Sequence, residues 1–247
     1  MSRPRVALVT GAASGVGRAV ATRMVSDGWQ VLAVDLRPEP DGPGTPFEAD
    51  LTDGEANAAA VAAAVQRFGA LDAIVAGAGI QHVAPIHEFP VERWETILTL
   101  MLTSPFLLAR HGWEALSGSG SGRFIAIASA HSLVASPYKA AYVAAKHGLL
   151  GLVKTLALEG AERGIAATAI CPGYVRTPLV EGQIPDQARA HGISEDRALE
   201  EVILAPQAIK ELIEPAEVAE VVAFVAGPAG RSFTGVPVTM DMGWTAR

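Results

Sequence analysis

The chain has 247 residues, half of them apolar and 18% charged. That balance excludes a disordered chain and leaves enough apolar mass for one large core. A net charge of −7 without a basic cluster argues against nucleic acid, no apolar run approaches the ~18 residues of a membrane helix, and the single cysteine, Cys171, excludes an internal disulfide.

Residues 5–10 form a run rich in β-branched side chains and predict a buried strand. The apolar stretch stops at Thr10-Gly11, too short for a signal peptide, so a cytoplasmic location is expected. Then comes Thr10-Gly11-Ala12-Ala13-Ser14-Gly15-Val16-Gly17, followed by a helical pattern over 18–26. Strand, glycine-rich turn and helix make a pyrophosphate site, because backbone N–H groups and the helix N-terminus face the anion. Gly11, Gly15 and Gly17 are the expected cradle, with Val16 between them and Ser14 placed to cap the helix. Alone, such a loop reads equally well as a tight turn. A second strand over 30–34 ends in Asp35. An acidic residue about 20 positions past the glycines binds ribose hydroxyls and repels a 2′-phosphate, which favours NAD over NADP. Arg37 is either a phosphate partner or a solvated loop charge.

Residues 38–46 read as a Pro/Gly-rich loop, and 47–51, with Asp50 and Leu51, as a further sheet element. Asp53 is placed to cap an Ala-rich helix running to Phe68. A strand over 71–76 leads into Gly77-Ala78-Gly79-Ile80, with Gln81 and His82 at the carboxyl edge of the sheet. Residues 92–116 predict one long helix, 124–128 a buried strand ending at Ser129, and 138–163 a second long helix. Residues 165–170 predict a strand leading to Cys171-Pro172-Gly173-Tyr174-Val175-Arg176-Thr177-Pro178. Residues 179–214 are polar and helical, a candidate lid. Pro215 opens a helix with Glu217 in its first turn, and 235–240 is the last strand. Strands alternate with helices throughout. This predicts the α/β class: one doubly wound, Rossmann-type parallel sheet with helices on both faces, as a single domain over 1–247. No His/Asp/Glu cluster has metal-ligand spacing, so no metal is expected.

Tyr142 and Lys146 are four apart and share one helix face, and Lys139 lies three before Tyr142. With Ser129 they can supply a proton donor, a cation and a second hydrogen-bond donor. Interconverting an alcohol and a ketone requires those three. A tyrosine pKa of about 10 is too high for a base at neutral pH. A nearby ammonium is expected to lower it by roughly 2–3 units. Alone, Tyr-x-x-x-Lys is also an ordinary helical pair.

Together these pieces resemble the short-chain dehydrogenase/reductase family: Thr10-Gly11-x3-Gly15-x-Gly17, Asp50, Ala78-Gly79, Ser129, Tyr142-x3-Lys146 and Pro172-Gly173. The resemblance implies that Ser129, Tyr142 and Lys146 are catalytic. It implies a dinucleotide site of Gly11, Ser14, Gly15, Val16, Gly17, Asp35, Asp50, Leu51, Gly79, Tyr142, Lys146, Pro172, Val175 and Thr177. The longer stretches Gly79-Ile80-Gln81-His82, Ala128-Ser129-Ala130-His131 and 172–187 are similar to members that interconvert (R)-3-hydroxybutyrate and acetoacetate. By that likeness Gln81, His131, Lys139 and Gln183 hold a small hydroxy-acid carboxylate, while Leu179 or Trp244 encloses its methyl. Read without the likeness, Lys139 is also a surface lysine, His131 a structural histidine and Trp244 a core or interface residue. The family implies a homotetramer, consistent with apolar residues on several faces of both long helices.

Two positions depart from the family pattern. Its usual helix asparagine, thought to hold a water beside the lysine, is Met101, and its Asn-Asn-Ala-Gly is Ala76-Gly77-Ala78-Gly79. Other expectations are therefore a dehydrogenase for another 3-hydroxy acid or secondary alcohol, or a weakly active NAD-binding paralogue.

Overall fold

A computed structural model describes residues 3–246. Among them seven strands form one parallel sheet: β1 Val6–Thr10, β2 Gln30–Asp35, β3 Thr45–Glu48, β4 Ala73–Ala76, β5 Arg123–Ile127, β6 Ala166–Pro172 and β7 Pro237–Met240. Their order is β3-β2-β1-β4-β5-β6-β7. Every residue of β1, β4, β5 and β6 is buried, as a sheet covered on both faces demands. One face carries α1 Gly15–Ser26 and α9 Pro215–Ala226, whose Val20, Ala21, Met24, Val218 and Val222 pack on Ala7, Val9, Val31 and Val75. The other carries α2 Gly54–Phe68, α4 Ser104–Gly118 and α5 Ala140–Gly160 over Leu8, Leu32, Ile74 and Phe124. Alanines such as Ala60, Ala64 and Ala157 let these helices lie close to the strands.

The strand order reverses between β1 and β4. In a doubly wound sheet that point opens a crevice at the carboxyl ends of the strands. Thr10 closes its floor: its hydroxyl accepts from the N–H groups of Gly77 and Ala78 at 2.9 and 3.1 Å.

Several boundaries differ from expectation. The helix expected over 92–116 is α3 Val91–Leu98, a π-helical turn Thr99–Thr103, and α4. The turn contains no glycine; it inserts one extra residue and holds buried Met101. The helix expected from Tyr138 begins only at Ala140. Tyr138 sits at φ 67°, in the left-handed region, and Lys139 takes the N-cap position. The left-handed Tyr138 and the non-helical Lys139 (φ −120°, ψ 34°) account for the late start, since neither backbone can continue a right-handed helix. Lys139 is thus not on a shared helix face with Tyr142. Ser14 does take the N-cap position of α1, but its hydroxyl caps nothing; it faces the crevice instead. Asp53 caps α2 as expected, accepting from the Glu55 N–H at 3.0 Å. Residues 178–204 fold into α6 Pro178–Glu181, α7 Ile184–His191, α8 Glu195–Ala198 and a π-helical turn Leu199–Ile203. No helix among the described residues is long and apolar enough to cross a membrane.

Candidate active site

The crevice is a cavity of about 500 Å³ running from the β1–α1 loop past the ends of β4, β5 and β6. It collects all of the expected dinucleotide residues: Gly11, Ser14, Gly15, Val16, Gly17, Asp35, Asp50, Leu51, Gly79, Tyr142, Lys146, Pro172, Val175 and Thr177. The cradle has room for backbone and nothing more. Gly11 has φ +71°, and a Cβ there would lie 3.0 Å from the Ala78 backbone. A Cβ on Gly17 would lie 2.1 Å from the Gly11 carbonyl oxygen. Asp35 ends β2 with its carboxylate accepting from the N–H groups of Ala13 and Arg37, at 3.0 and 3.1 Å. The Arg37 side chain is exposed beside it.

Ser129, Tyr142 and Lys146 meet on the inner wall of the same cavity. Ser129 follows β5, hydrogen-bonds Tyr142, and accepts from the His131 N–H at 3.1 Å. Lys146 lies 5.5 Å from the centre of the Tyr142 ring and donates to the Ile127 carbonyl at 2.6 Å. The expectation of a depressed tyrosine pKa fails in this state. Burial pushes Tyr142 up to about 12, against the lowering effect of the Ser129 hydrogen bond. Burial also brings Lys146 down to about 8. Desolvation dominates at both groups, so Tyr142 rests as a phenol.

Behind this wall lies a second, polar group. His131 is buried, with Nδ1 3.4 Å from the Ser129 hydroxyl and Nε2 2.9 Å from Ser136. Its ring stands edge-on to Tyr142, Tyr174 and Trp244. Trp244 stacks on Tyr174 with ring centres 5.4 Å apart. Burial, helped by Lys139, lowers His131 to about 3, so it is a neutral imidazole. Lys139 is 1% exposed and donates to the Tyr174 hydroxyl at 2.9 Å. Burial alone lowers it to about 7. Among the described residues no carboxylate pairs with it. Gln183 is buried; its amide N–H reaches the Leu179 carbonyl at 3.2 Å, and its oxygen has no partner among the described residues. Leu179 itself lines the crevice. Gln81 stands apart, its side-chain oxygen accepting from the His82 N–H at 3.1 Å. Sequence reasoning missed Tyr174 and Ser136. Tyr174 lay in the stretch after β6, but nothing local linked it to Lys139, 35 residues earlier.

A family model described as short chain dehydrogenase matches residues 5–188. This chain belongs to that family. The D-beta-hydroxybutyrate dehydrogenase of Rhizobium meliloti is 43% identical, the match covering 98% of this chain and 99% of that one. Its namesake from Cupriavidus necator is 37% identical with both chains fully covered. Among solved structures, an actinorhodin polyketide ketoreductase with NADPH matches at a TM-score of 0.91 and 29% identity, over 99% of this chain and 98% of the other. The chain is an oxidoreductase of the short-chain dehydrogenase family.

Proposed function

We propose that this chain is an NAD-dependent dehydrogenase that interconverts (R)-3-hydroxybutyrate and acetoacetate. The observation that carries this reading is Lys139. It is a buried amine with only neutral partners, an arrangement that costs free energy unless an anion comes to it. A short acid reaching Lys139 from the Tyr142 wall would bring a carbon near its carboxylate to the tyrosine. Gln183, turned by half a rotation, would offer two N–H donors to the same carboxylate. Trp244 and Leu179 would enclose the methyl end, and Gln81 would have to swing inward to join them. The relatives' names support the substrate, and they agree with the lysine rather than replace it.

The cavity fits a dinucleotide because Gly11 and Gly17 have no room for a side chain where the pyrophosphate would approach. Ser14, Gly15 and Val16 would offer backbone and hydroxyl donors, Asp50 and Leu51 would flank the adenine, and Gly79, Pro172, Val175 and Thr177 the nicotinamide. When bound, the cofactor supplies the hydride acceptor. Asp35 supports NAD over NADP, since a fixed carboxylate welcomes ribose hydroxyls and repels a phosphate. Tyr142 is the acid/base, Ser129 orients the reacting oxygen, and Lys146 holds the ribose side of the site. Exposed Leu158 on α5 and Phe106 on α4 support self-association, which we read as a homotetramer.

The test is formation of the reduced cofactor from (R)-3-hydroxybutyrate, its (S) enantiomer and an uncharged secondary alcohol, each with NAD and with NADP. Turnover confined to the (R) acid with NAD is expected. Turnover of the uncharged alcohol alone would remove the carboxylate assignment, and a preference for NADP would remove the role of Asp35.

A further inference from the structure

One side of Tyr142 is apolar. Ile97, Met101, Ala141 and Ala145 are fully buried around it, with Ile80, Phe89 and Trp94 behind. The Lys146 ammonium donates to a backbone carbonyl, which passes no proton on. Cys171, the other titratable group nearby, is a buried thiol held up at about 11. With substrate and cofactor filling the crevice, polar continuity leaves Tyr142 in the other direction. Ser129 hydrogen-bonds the phenol and stands 3.4 Å from His131 Nδ1. His131 Nε2 is 2.9 Å from the Ser136 hydroxyl. Ser136 is only half-buried and lines a separate cavity of about 520 Å³ with Tyr174, Gln187, His191 and Glu201. His191 is exposed, so this second cavity reaches solvent.

We propose that protons pass between Tyr142 and solvent through Ser129, His131 and Ser136, with the second cavity as their exit. The inference rests on Tyr142 being the acid/base. During oxidation the substrate O–H bond breaks and its proton moves to the Tyr142 oxygen as the hydride leaves its carbon for the oxidised cofactor. The phenol proton passes to Ser129, the Ser129 proton to His131 Nδ1, the Nε2 proton to Ser136, and the Ser136 proton to water. One proton enters the chain and one leaves, so no group holds a net charge afterwards. Hydroxyl rotation and tautomer exchange reset it. Such a concerted transfer needs neither a free phenolate nor an imidazolium, and burial disfavours both here. The three aromatic rings against His131 hold its two nitrogens on their partners.

The experiment is stopped-flow oxidation of (R)-3-hydroxybutyrate with NAD in weak buffer. Cofactor absorbance and a soluble pH indicator are followed together in the wild type, Ser136→Ala and Ser136→Thr. In the wild type the proton is expected in solution in step with reduced cofactor. In Ser136→Ala its release should fall severalfold behind, and Ser136→Thr, which keeps the hydroxyl, should restore the match. Nitrogen NMR of histidine-labelled protein without ligands should show the His131 Nε2 signal moved in Ser136→Ala and restored in Ser136→Thr. Synchronous release in Ser136→Ala, or an unmoved His131 signal, overturns the relay. Absence of reduced cofactor in the wild type would instead remove the underlying reading of the substrate, and the NMR arm would still decide whether His131 and Ser136 are coupled.

Discussion

On the proposed function, Lys139 links substrate class to acid–base chemistry. In the free protein its ammonium form is disfavoured by burial, with a pKa of about 7. A carboxylate beside it favours the charged form, so binding of an acid and protonation of Lys139 are linked. Raising the pH through neutrality removes the proton and with it the cation. The ratio of kcat/KM for the (R) acid to that for an uncharged secondary alcohol should therefore fall as pH rises through about 7. Taking the ratio cancels the proton chemistry of Tyr142, which both substrates share. A hydrogen bond to a charged group is worth about 1.5–3 kcal/mol, so Lys139→Met should cost the acid roughly ten- to hundredfold and flatten the ratio. A wild-type ratio independent of pH would mean that some other group holds the carboxylate.

At the scale of elements, the loop from β1 into α1 decides whether a dinucleotide can sit at the sheet's switch point. Gly17 lies in the first turn of α1, where a methyl group would strike the Gly11 carbonyl. Gly17→Ala should push the loop outward and weaken NADH binding by at least an order of magnitude, read by fluorescence titration. Gly118→Ala, at the end of α4 with open space around it, should leave that affinity unchanged. Equal affinity in Gly17→Ala would mean that the anion does not approach here. This loop was legible in the sequence because its parts are neighbours: an apolar strand, glycines at short spacing, then a helix. Tyr142 and Lys146 were legible for the same reason, being one helical turn apart. The π-helical turn at Thr99–Thr103 was not. It inserts one residue without any proline or glycine, and the apolar pattern on either side still reads as one helix. Lys139 was misplaced on α5 because nothing local signals that Tyr138 turns into the left-handed region and delays the helix to Ala140. Its partner Tyr174 comes from the segment after β6, 35 residues on, and the Ser136 contact of His131 closes across the irregular loop between β5 and α5; no regular spacing records either.

At the scale of the whole molecule, the same buried groups set the pH dependence of stability. Lys139 and Lys146 fall from the usual 10.5 to about 7 and about 8 in the folded protein. Between those values and 10.5 the unfolded chain binds more protons than the folded one, so stability rises with pH. His131, lowered from 6.5 to about 3, contributes a rise of the same sign below neutrality. Cys171 and Tyr142 work the other way. Raised from 9.0 to about 11 and from 10.0 to about 12, they keep protons in the folded state that the unfolded chain has lost, so their own contributions fall as pH climbs past about 9 and about 10. The unliganded protein should therefore be most stable near pH 10, where the rise from the two lysines is cancelled by the thiol and the phenol. Urea unfolding at fixed protein concentration and ionic strength should show the midpoint climbing from pH 7 to 9, each lysine contributing at most ~1.4 kcal/mol per pH unit. Lys139→Met should raise the midpoint at pH 7 and lessen the climb, because replacing a buried, unpaired cation by an apolar side chain of similar length removes a desolvation cost. A maximum below neutrality would contradict the burial of the two lysines. On the proposed reading, an anionic substrate supplies the partner that this unpaired ammonium lacks. Adding the acid with cofactor should therefore stabilise the wild type most at neutral pH, where Lys139 is readily protonated, and Lys139→Met far less.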